Sequence, residues 1–119
     1  MKPVPIVYVT DMDRSLAWYR SVLPEADLVS TSPWWSELAI NGAALALHGA
    51  ETITPGDQVG LAFSADRPLE HIVSRLATEG IVPTRDIADE AFGRSLILAD
   101  PNGLKIQVNE HDSEHYPQP

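Results

Sequence analysis

The second half of this chain repeats the first, and the repeat constrains the fold more than any other feature of the sequence. The segment DRSLAWYRSVL at residues 13–23 aligns without a gap with DRPLEHIVSRL at residues 66–76. In both segments apolar side chains recur at the three- and four-residue spacing of an amphipathic helix. A short apolar segment that is typical of a strand precedes each helix, at residues 4–9 and 59–63. The sequence therefore predicts two similar modules in tandem.

Three short strands are predicted after each helix. Asn41-Gly42 and the segment from Asp100 to Gly103 are the clearest turns, because Asn and Gly accept the left-handed backbone of tight turns. The predicted strands span residues 26–31, 34–40 and 43–48 in the first half, and residues 81–84, 92–99 and 104–109 in the second.

Together these elements give one domain with the order βαβββ, linker, βαβββ. The boundaries fall at about residues 4–48 for module one, 49–57 for the linker, 58–109 for module two and 110–119 for an acidic tail. The second helix is expected over residues 66–79, with a proline in its first turn.

Composition excludes several classes of function. The 119 residues include no cysteine, so disulfides, thiolate zinc sites and cysteine nucleophiles are ruled out. Eight Lys and Arg against 17 Asp and Glu give a net charge of −9, whereas nucleic-acid backbones require clustered cations. We expect no nucleic-acid partner. Without an apolar run of about 18 residues or a signal-peptide core, we also expect no membrane partner and a cytoplasmic location.

This organisation resembles the vicinal oxygen chelate superfamily, which includes glyoxalase I, extradiol dioxygenases, and fosfomycin and bleomycin resistance proteins. The resemblance covers about Val4 to Glu110 and depends most on VTDMDRSLAWY at residues 9–19 and DPNGLKIQV at residues 100–108. It implies an α+β fold in which two curved mixed sheets carry helices on one face and line a ligand cup with the other. It also implies a homodimer, and the metal-free bleomycin-resistance branch is closest in character.

Metal-dependent members of that superfamily hold their ion through donors in the first and last strands of each module. By resemblance, the first-strand positions fall on Val4 and Gly60, and the last-strand positions on Ala46 and Gln107. Three of these residues have no side-chain donor, and one amide cannot hold a divalent ion firmly. We therefore expect no metal ligands and no cofactor.

Period-two alternation along the strands predicts which side chains face the cup. The ligand-binding residues expected on the cup face or in the loop beside it are Tyr8, Trp35, Glu37, His48, Ser64, Phe92 and Gln107. A tryptophan on this face would be a stacking platform for a planar or cationic ligand, and Glu37 beside it could pair with a cation. No catalytic residue is assigned, and His111 is expected to lie in the tail without a role.

These observations predict a metal-free, homodimeric protein that binds and sequesters a drug or natural product of the kind that bleomycin-resistance proteins bind. The partner would be a small organic molecule, aromatic or cationic. One alternative is a metal-dependent lyase, isomerase or dioxygenase of the same superfamily, with a divalent ion at a displaced site such as His48 with Gln107. Another is an interaction module that needs no ligand.

Overall fold

The computed structural model describes residues 1–111, in which eight strands and two helices follow one another in the order that the repeat predicts. Module one contains β1 (Lys2–Val9), α1 (Met12–Val22), β2 (Asp27–Thr31), β3 (Trp35–Ile40) and β4 (Ala43–Gly49). Module two contains β5 (Val59–Ser64), α2 (Leu69–Thr78), β6 (Arg85–Glu90), β7 (Gly93–Ala99) and β8 (Lys105–His111). Neither helix in this part of the chain is long and apolar enough to cross a lipid bilayer.

The chain divides into two compact units, which correspond closely to the modules. Of the described residues, the first unit comprises 4–60, and the second comprises 1–3 together with 61–111. In the first unit the strands lie in the order β2-β3-β4-β1, and in the second in the equivalent order β6-β7-β8-β5. The first and last strands of each module pair in parallel, and the remaining pairs are antiparallel. The strands of each unit therefore have the mixed parallel and antiparallel pairing that the sequence resemblance implies.

In the first unit, α1 packs on one face of its sheet. The carboxylate of Asp11 accepts a hydrogen bond from the backbone N–H of Arg14 at 3.1 Å and so caps the helix. Met12 then packs with Val9 and Leu47 in a buried cluster. The hairpin between β3 and β4 turns at Asn41-Gly42, where both residues have positive φ, as this turn requires. The sheet face opposite the helix is called the cup face below.

The second unit repeats this packing. Its core consists of side chains from α2, β7 and β8, namely Leu69, Ile72, Leu76, Leu96 and Val108. The Asp100 carboxylate accepts hydrogen bonds from the backbone N–H groups of Asn102 and Leu104, both at 2.8 Å, and closes the predicted turn before β8. The registers β2–β3 and β6–β7 each contain one shift, so the irregularity recurs at the equivalent strand of each module.

The start of α2 depends on a side chain from β8. Pro68 is the N-cap residue and offers no side-chain hydrogen bond. Instead the Glu110 carboxylate accepts from the backbone N–H of Leu69 at 3.1 Å, and Arg94 donates to Glu110 at 2.9 Å and to Glu70 at 2.6 Å. The Arg94 guanidinium holds the pKa of Glu110 below its usual value, and the bond from Leu69 lowers that pKa further. This network ties α2 to β7 and β8.

One predicted strand is misplaced. The strand expected at residues 81–84 lies instead at Arg85–Glu90, as β6. Val82 is 77% exposed, and Pro83 has no N–H to donate, so the expected segment forms a loop. β6 lies at a sheet edge, where a polar sequence is tolerated, and only Ile87 among its residues packs against the buried cluster of the unit.

Two boundaries also differ from expectation. The helix α2 begins at Leu69 rather than at residue 66, because Pro68 has an extended backbone with ψ 139°. β8 continues to His111, so Glu110 and His111 belong to the strand and not to a tail. The remaining residues of the expected tail, 112–119, lie outside the part of the chain that the structure describes.

Replacing Glu110 with Gln is expected to lower the free energy of unfolding by about 1 kcal/mol, because a helix cap and a half-exposed ion pair are both weakened. The pKa of Glu110 is lowered in the folded state, so its contribution is complete at neutral pH. It is lost as the pH falls below the unfolded value of about 4.3 and through the folded pKa.

Urea denaturation at pH 7 and at pH 3 measures this difference. Glu51→Gln is the matched control, since Glu51 is exposed on the linker. If Glu110→Gln and Glu51→Gln had equal stabilities at pH 7, the proposed cap would be wrong.

Candidate functional site

The seven predicted site residues divide between the two units. The first unit contains Tyr8, Trp35, Glu37 and His48, and the second contains Ser64, Phe92 and Gln107. Phe92 lies in the turn between β6 and β7, and the other six lie on strands. Each group is described within its own unit.

In the first unit, three aromatic side chains meet on the cup face. Tyr8 is paired in register with His48 across β1 and β4, and His48 with Trp35 across β4 and β3. The Tyr8 and His48 ring centroids lie 5.0 Å apart, and those of His48 and Trp35 lie 5.7 Å apart at an interplanar angle of 70°. We call these three residues the aromatic row. They share this face because residues that are paired in register on neighbouring strands point to the same side of the sheet.

Two polar groups accompany the aromatic row. The Nδ1 atom of His48 lies 2.9 Å from the carbonyl oxygen of Gly49. A carbonyl only accepts, so Nδ1 carries the proton and Nε2 is the acceptor of the neutral ring. Glu37 lies two residues beyond Trp35 on the same strand face, about 7 Å along β3. The cup face of this unit thus combines stacked rings, a histidine acceptor and a carboxylate.

The tryptophan is more enclosed than an open stacking platform would be. Its side chain is 2% exposed, whereas Tyr8 and His48 are half-buried. Trp35 therefore forms the wall behind His48, and the two half-buried rings are the ones that solvent reaches.

The second unit has a polar row at the equivalent place. Ser64 pairs with Asn109, and Asn109 pairs with Ser95, across β5, β8 and β7. Gln107 donates to Asn109 at 2.8 Å, and both side chains are almost completely buried. Phe92 is also buried, and its ring centroid lies 5.3 Å from that of His111. We call Ser64, Asn109 and Ser95 the polar row.

Sequence reasoning missed a charge network beside the polar row, in which Ser95 is buried and Arg85 and Glu90 are partly exposed. The Ser95 hydroxyl is fully buried, donates to Glu90 at 2.8 Å and accepts from Arg85 at 2.5 Å. Arg85 and Glu90 belong to β6, the strand that was expected at residues 81–84. Alternation along β7 could have identified Ser95, which lies two residues before Ile97 and on the same face. Its charged partners could not be found without the correct position of β6.

His111 is a further residue that the sequence did not point to. It lines a cavity of about 680 Å³ together with Glu90, Arg94 and Glu110. Burial lowers the pKa of His111 to about 4, because a charged imidazolium loses its hydration there. His111 is therefore neutral at physiological pH.

The residues at the expected metal positions do not fit a metal ion. Val4 and Ala46 are buried and have no donor atom. A Cβ at Gly60 would meet Ile6 at 3.2 Å and Tyr8 at 3.3 Å, so a ligating side chain has no room there unless these neighbours shift. Within residues 1–111, no group of three or more His, Cys, Asp or Glu side chains is placed to hold an ion.

Comparison with known proteins gives one family match. Residues 4–108 match the family described as the Glyoxalase/Bleomycin resistance protein/Dioxygenase superfamily. Among curated proteins, none matches the chain in sequence.

Several solved structures share the fold at low sequence identity. A protein from Legionella pneumophila, described as an NAD-dependent benzaldehyde dehydrogenase, is 17% identical with a TM-score of 0.75, covering 92% of this chain and 99% of its own. A superfamily member from Vibrio splendidus 12B01 is 17% identical with a TM-score of 0.59, covering 90% and 96%. A hypothetical protein from Bacillus halodurans C-125 is 15% identical with a TM-score of 0.66, covering 92% of each chain. At these identities the likeness shows the fold alone.

His111 is expected to protonate in the folded protein near pH 4 and not near its ordinary value of about 6.5. Because the unfolded chain binds this proton first, the folded state loses stability as the pH falls from about 6.5 to 4. His111→Gln should flatten that part of the stability curve. Proton NMR titration of the histidine ring signals measures the midpoint, and a midpoint at 6 or above would contradict the burial of this ring.

Proposed function

The chain belongs to the Glyoxalase/Bleomycin resistance protein/Dioxygenase superfamily, and from that premise we propose that it is a metal-free protein that binds and sequesters a small organic molecule. The aromatic row on the cup face of the first unit supports this proposal most directly. The proposal retains the bleomycin-resistance type of function and the homodimer that the sequence resemblance implies.

The aromatic row favours a planar guest. Tyr8 and His48 are half-buried, with ring centroids 5.0 Å apart and ring planes inclined by 45°. A flat molecule can therefore stack on one of these rings and contact the other at an angle, while Trp35 packs behind His48. Aromatic contacts of this kind contribute about 0.5–1.5 kcal/mol each beyond the area that they bury. The Nε2 atom of His48 adds an acceptor that fixes the orientation of a guest that carries an N–H or O–H group.

Charge favours a cationic guest. Glu37 lies on the same strand face as Trp35, where its carboxylate can pair with an ammonium or guanidinium group on a molecule stacked against the row. At low ionic strength the net charge of −9 also raises the rate at which cations encounter the protein, and salt screens this effect. Aromatic rings also attract cations through their faces.

The donor set argues for binding without a metal ion. Val4, Ala46 and Gly60 replace three of the four expected ligands, and Gln107 is engaged with Asn109. We therefore assign no chemical step to a metal in this site. A metal-dependent lyase, isomerase or dioxygenase remains the alternative hypothesis.

Replacing His48 with Ala is expected to weaken binding of metal-free bleomycin, and of the planar cation thioflavin T, about tenfold. The substitution removes the central ring of the row and one acceptor. Isothermal titration calorimetry on the intact chain measures the affinities. Trp35→Phe is a second variant that keeps most of the buried volume, since truncating a buried tryptophan to alanine would itself cost about 3–5 kcal/mol of stability.

The matched control is His71→Ala, which removes an exposed histidine from α2. It should bind both probes as the wild type does. Equal affinities for His48→Ala and His71→Ala would contradict the assignment of the aromatic row, as would failure of both probes to bind the wild type.

A further inference from the structure

An apolar groove of the first unit lies between α1, the end of β1 and the linker, and Tyr8 of the aromatic row is one of its lining residues. Its volume of about 750 Å³ falls within the range of about 300–1,000 Å³ that is typical of small-molecule sites. Apolar and aromatic side chains from α1 and the linker, including Ala17, Trp18, Tyr19 and Ile53, contribute to its walls. No role in the proposed function draws on these residues.

Trp18 gives the groove an exposed aromatic surface. Its side chain is 59% exposed, although the ring is large and apolar. The Tyr19 ring contacts it edge to face, with centroids 4.9 Å apart and an interplanar angle of 82°. A flat guest can therefore cover the exposed part of this ring and gain aromatic contact.

Arg14 supplies a positive charge beside that ring. It lines the groove, and it lies one helical turn before Trp18 on the same face of α1, at a Cβ separation of roughly 6 Å. Within residues 1–111, no carboxylate forms an ion pair with its guanidinium. The chain has 17 acidic and only eight basic residues, so a basic side chain such as Arg14 that forms no ion pair within residues 1–111 is able to bind an anionic ligand.

The groove is also lined by uncharged polar groups and by one carboxylate. The side-chain Oε1 of Gln58 accepts a hydrogen bond from the backbone N–H of Gly56 at 3.1 Å, so the amide group of Gln58 has its NH₂ as the remaining donor. The Ser15 hydroxyl also lines the groove. Asp11 is the one acidic lining residue, and one of its oxygens is engaged in capping α1 at 3.1 Å from the Arg14 N–H.

The net negative charge of the protein does not exclude an anion from this groove. Exposed charges farther away than about 8 Å are largely screened at physiological ionic strength. The contact between a guanidinium and a carboxylate is short and bidentate, so local geometry outweighs the distant acidic residues. The charged groups that a bound carboxylate meets in the groove are therefore those of Arg14 and Asp11.

We propose that the groove between α1, β1 and the linker is a second ligand site, which takes a flat aromatic carboxylate. The aromatic body stacks on Trp18, and the carboxylate pairs with the Arg14 guanidinium. This site differs in charge preference from the aromatic row, which is suited to a cation. The two sites can therefore be tested separately with ligands of opposite charge.

The probe is 2-naphthoate, titrated into the isotopically labelled full-length chain and followed by two-dimensional NMR. Wild-type protein should show saturable shifts of the Trp18 indole signal and of the α1 amides. Arg14→Gln should weaken binding about tenfold, and Trp18→Leu should weaken it by a similar factor. Neutral 2-naphthamide should bind wild type and Arg14→Gln with equal affinity, because the pairing with arginine is absent.

Arg20→Gln is the matched control, since Arg20 is exposed in the last turn of the same helix and does not line the groove. It should bind 2-naphthoate as the wild type does, and melting curves confirm that each variant is folded. Equal affinities for Arg14→Gln and Arg20→Gln would overturn the proposal. So would naphthoate shifts that appear at His48 but not at Trp18, or no shifts at millimolar naphthoate.

Discussion

The parallel pairing of the first and last strands in each module is the constraint on which the rest of the structure depends. The helix between them must cross back over the sheet, so it covers one face and leaves the other as the cup face. The register then decides which residues share that face. In the first unit it aligns Tyr8, His48 and Trp35, and in the second it aligns Ser64, Asn109 and Ser95. The same strand arrangement therefore carries the aromatic row in the first unit and the polar row in the second.

The aromatic row and the polar row also differ in how their side chains affect stability. Aromatic residues gain stability by burying apolar area, whereas each buried polar group must find a hydrogen-bond partner or cost about 1–3 kcal/mol. The second unit meets this requirement through Gln107 with Asn109, and through Ser95 with Arg85 and Glu90. These side chains hold one another in place, so they are constrained as a group. The half-buried rings of Tyr8 and His48 in the first unit are partly open to solvent, so a guest can reach them.

Sequence patterns predicted the repeat, the element order and the tight turns, because alternation and turn chemistry are local signals. They failed for β6, whose edge position lets charged residues occupy a strand without apolar alternation. They also failed for Glu110, since a side chain that caps a helix 41 residues earlier in the chain leaves no local trace. The burial of Trp35 and the groove beside Trp18 could not be predicted from the sequence, because both depend on packing between segments that are distant along the chain.

The central claim is that this member of the superfamily binds its ligand without a metal ion. The most direct test is the metal content of the native protein, purified without chelator or affinity tag and measured by elemental mass spectrometry. The account predicts far less than one divalent ion per chain, because the residues at the four expected ligand positions cannot hold one. A content near one zinc, manganese, iron or nickel ion per chain would contradict it and would favour the metal-dependent enzyme.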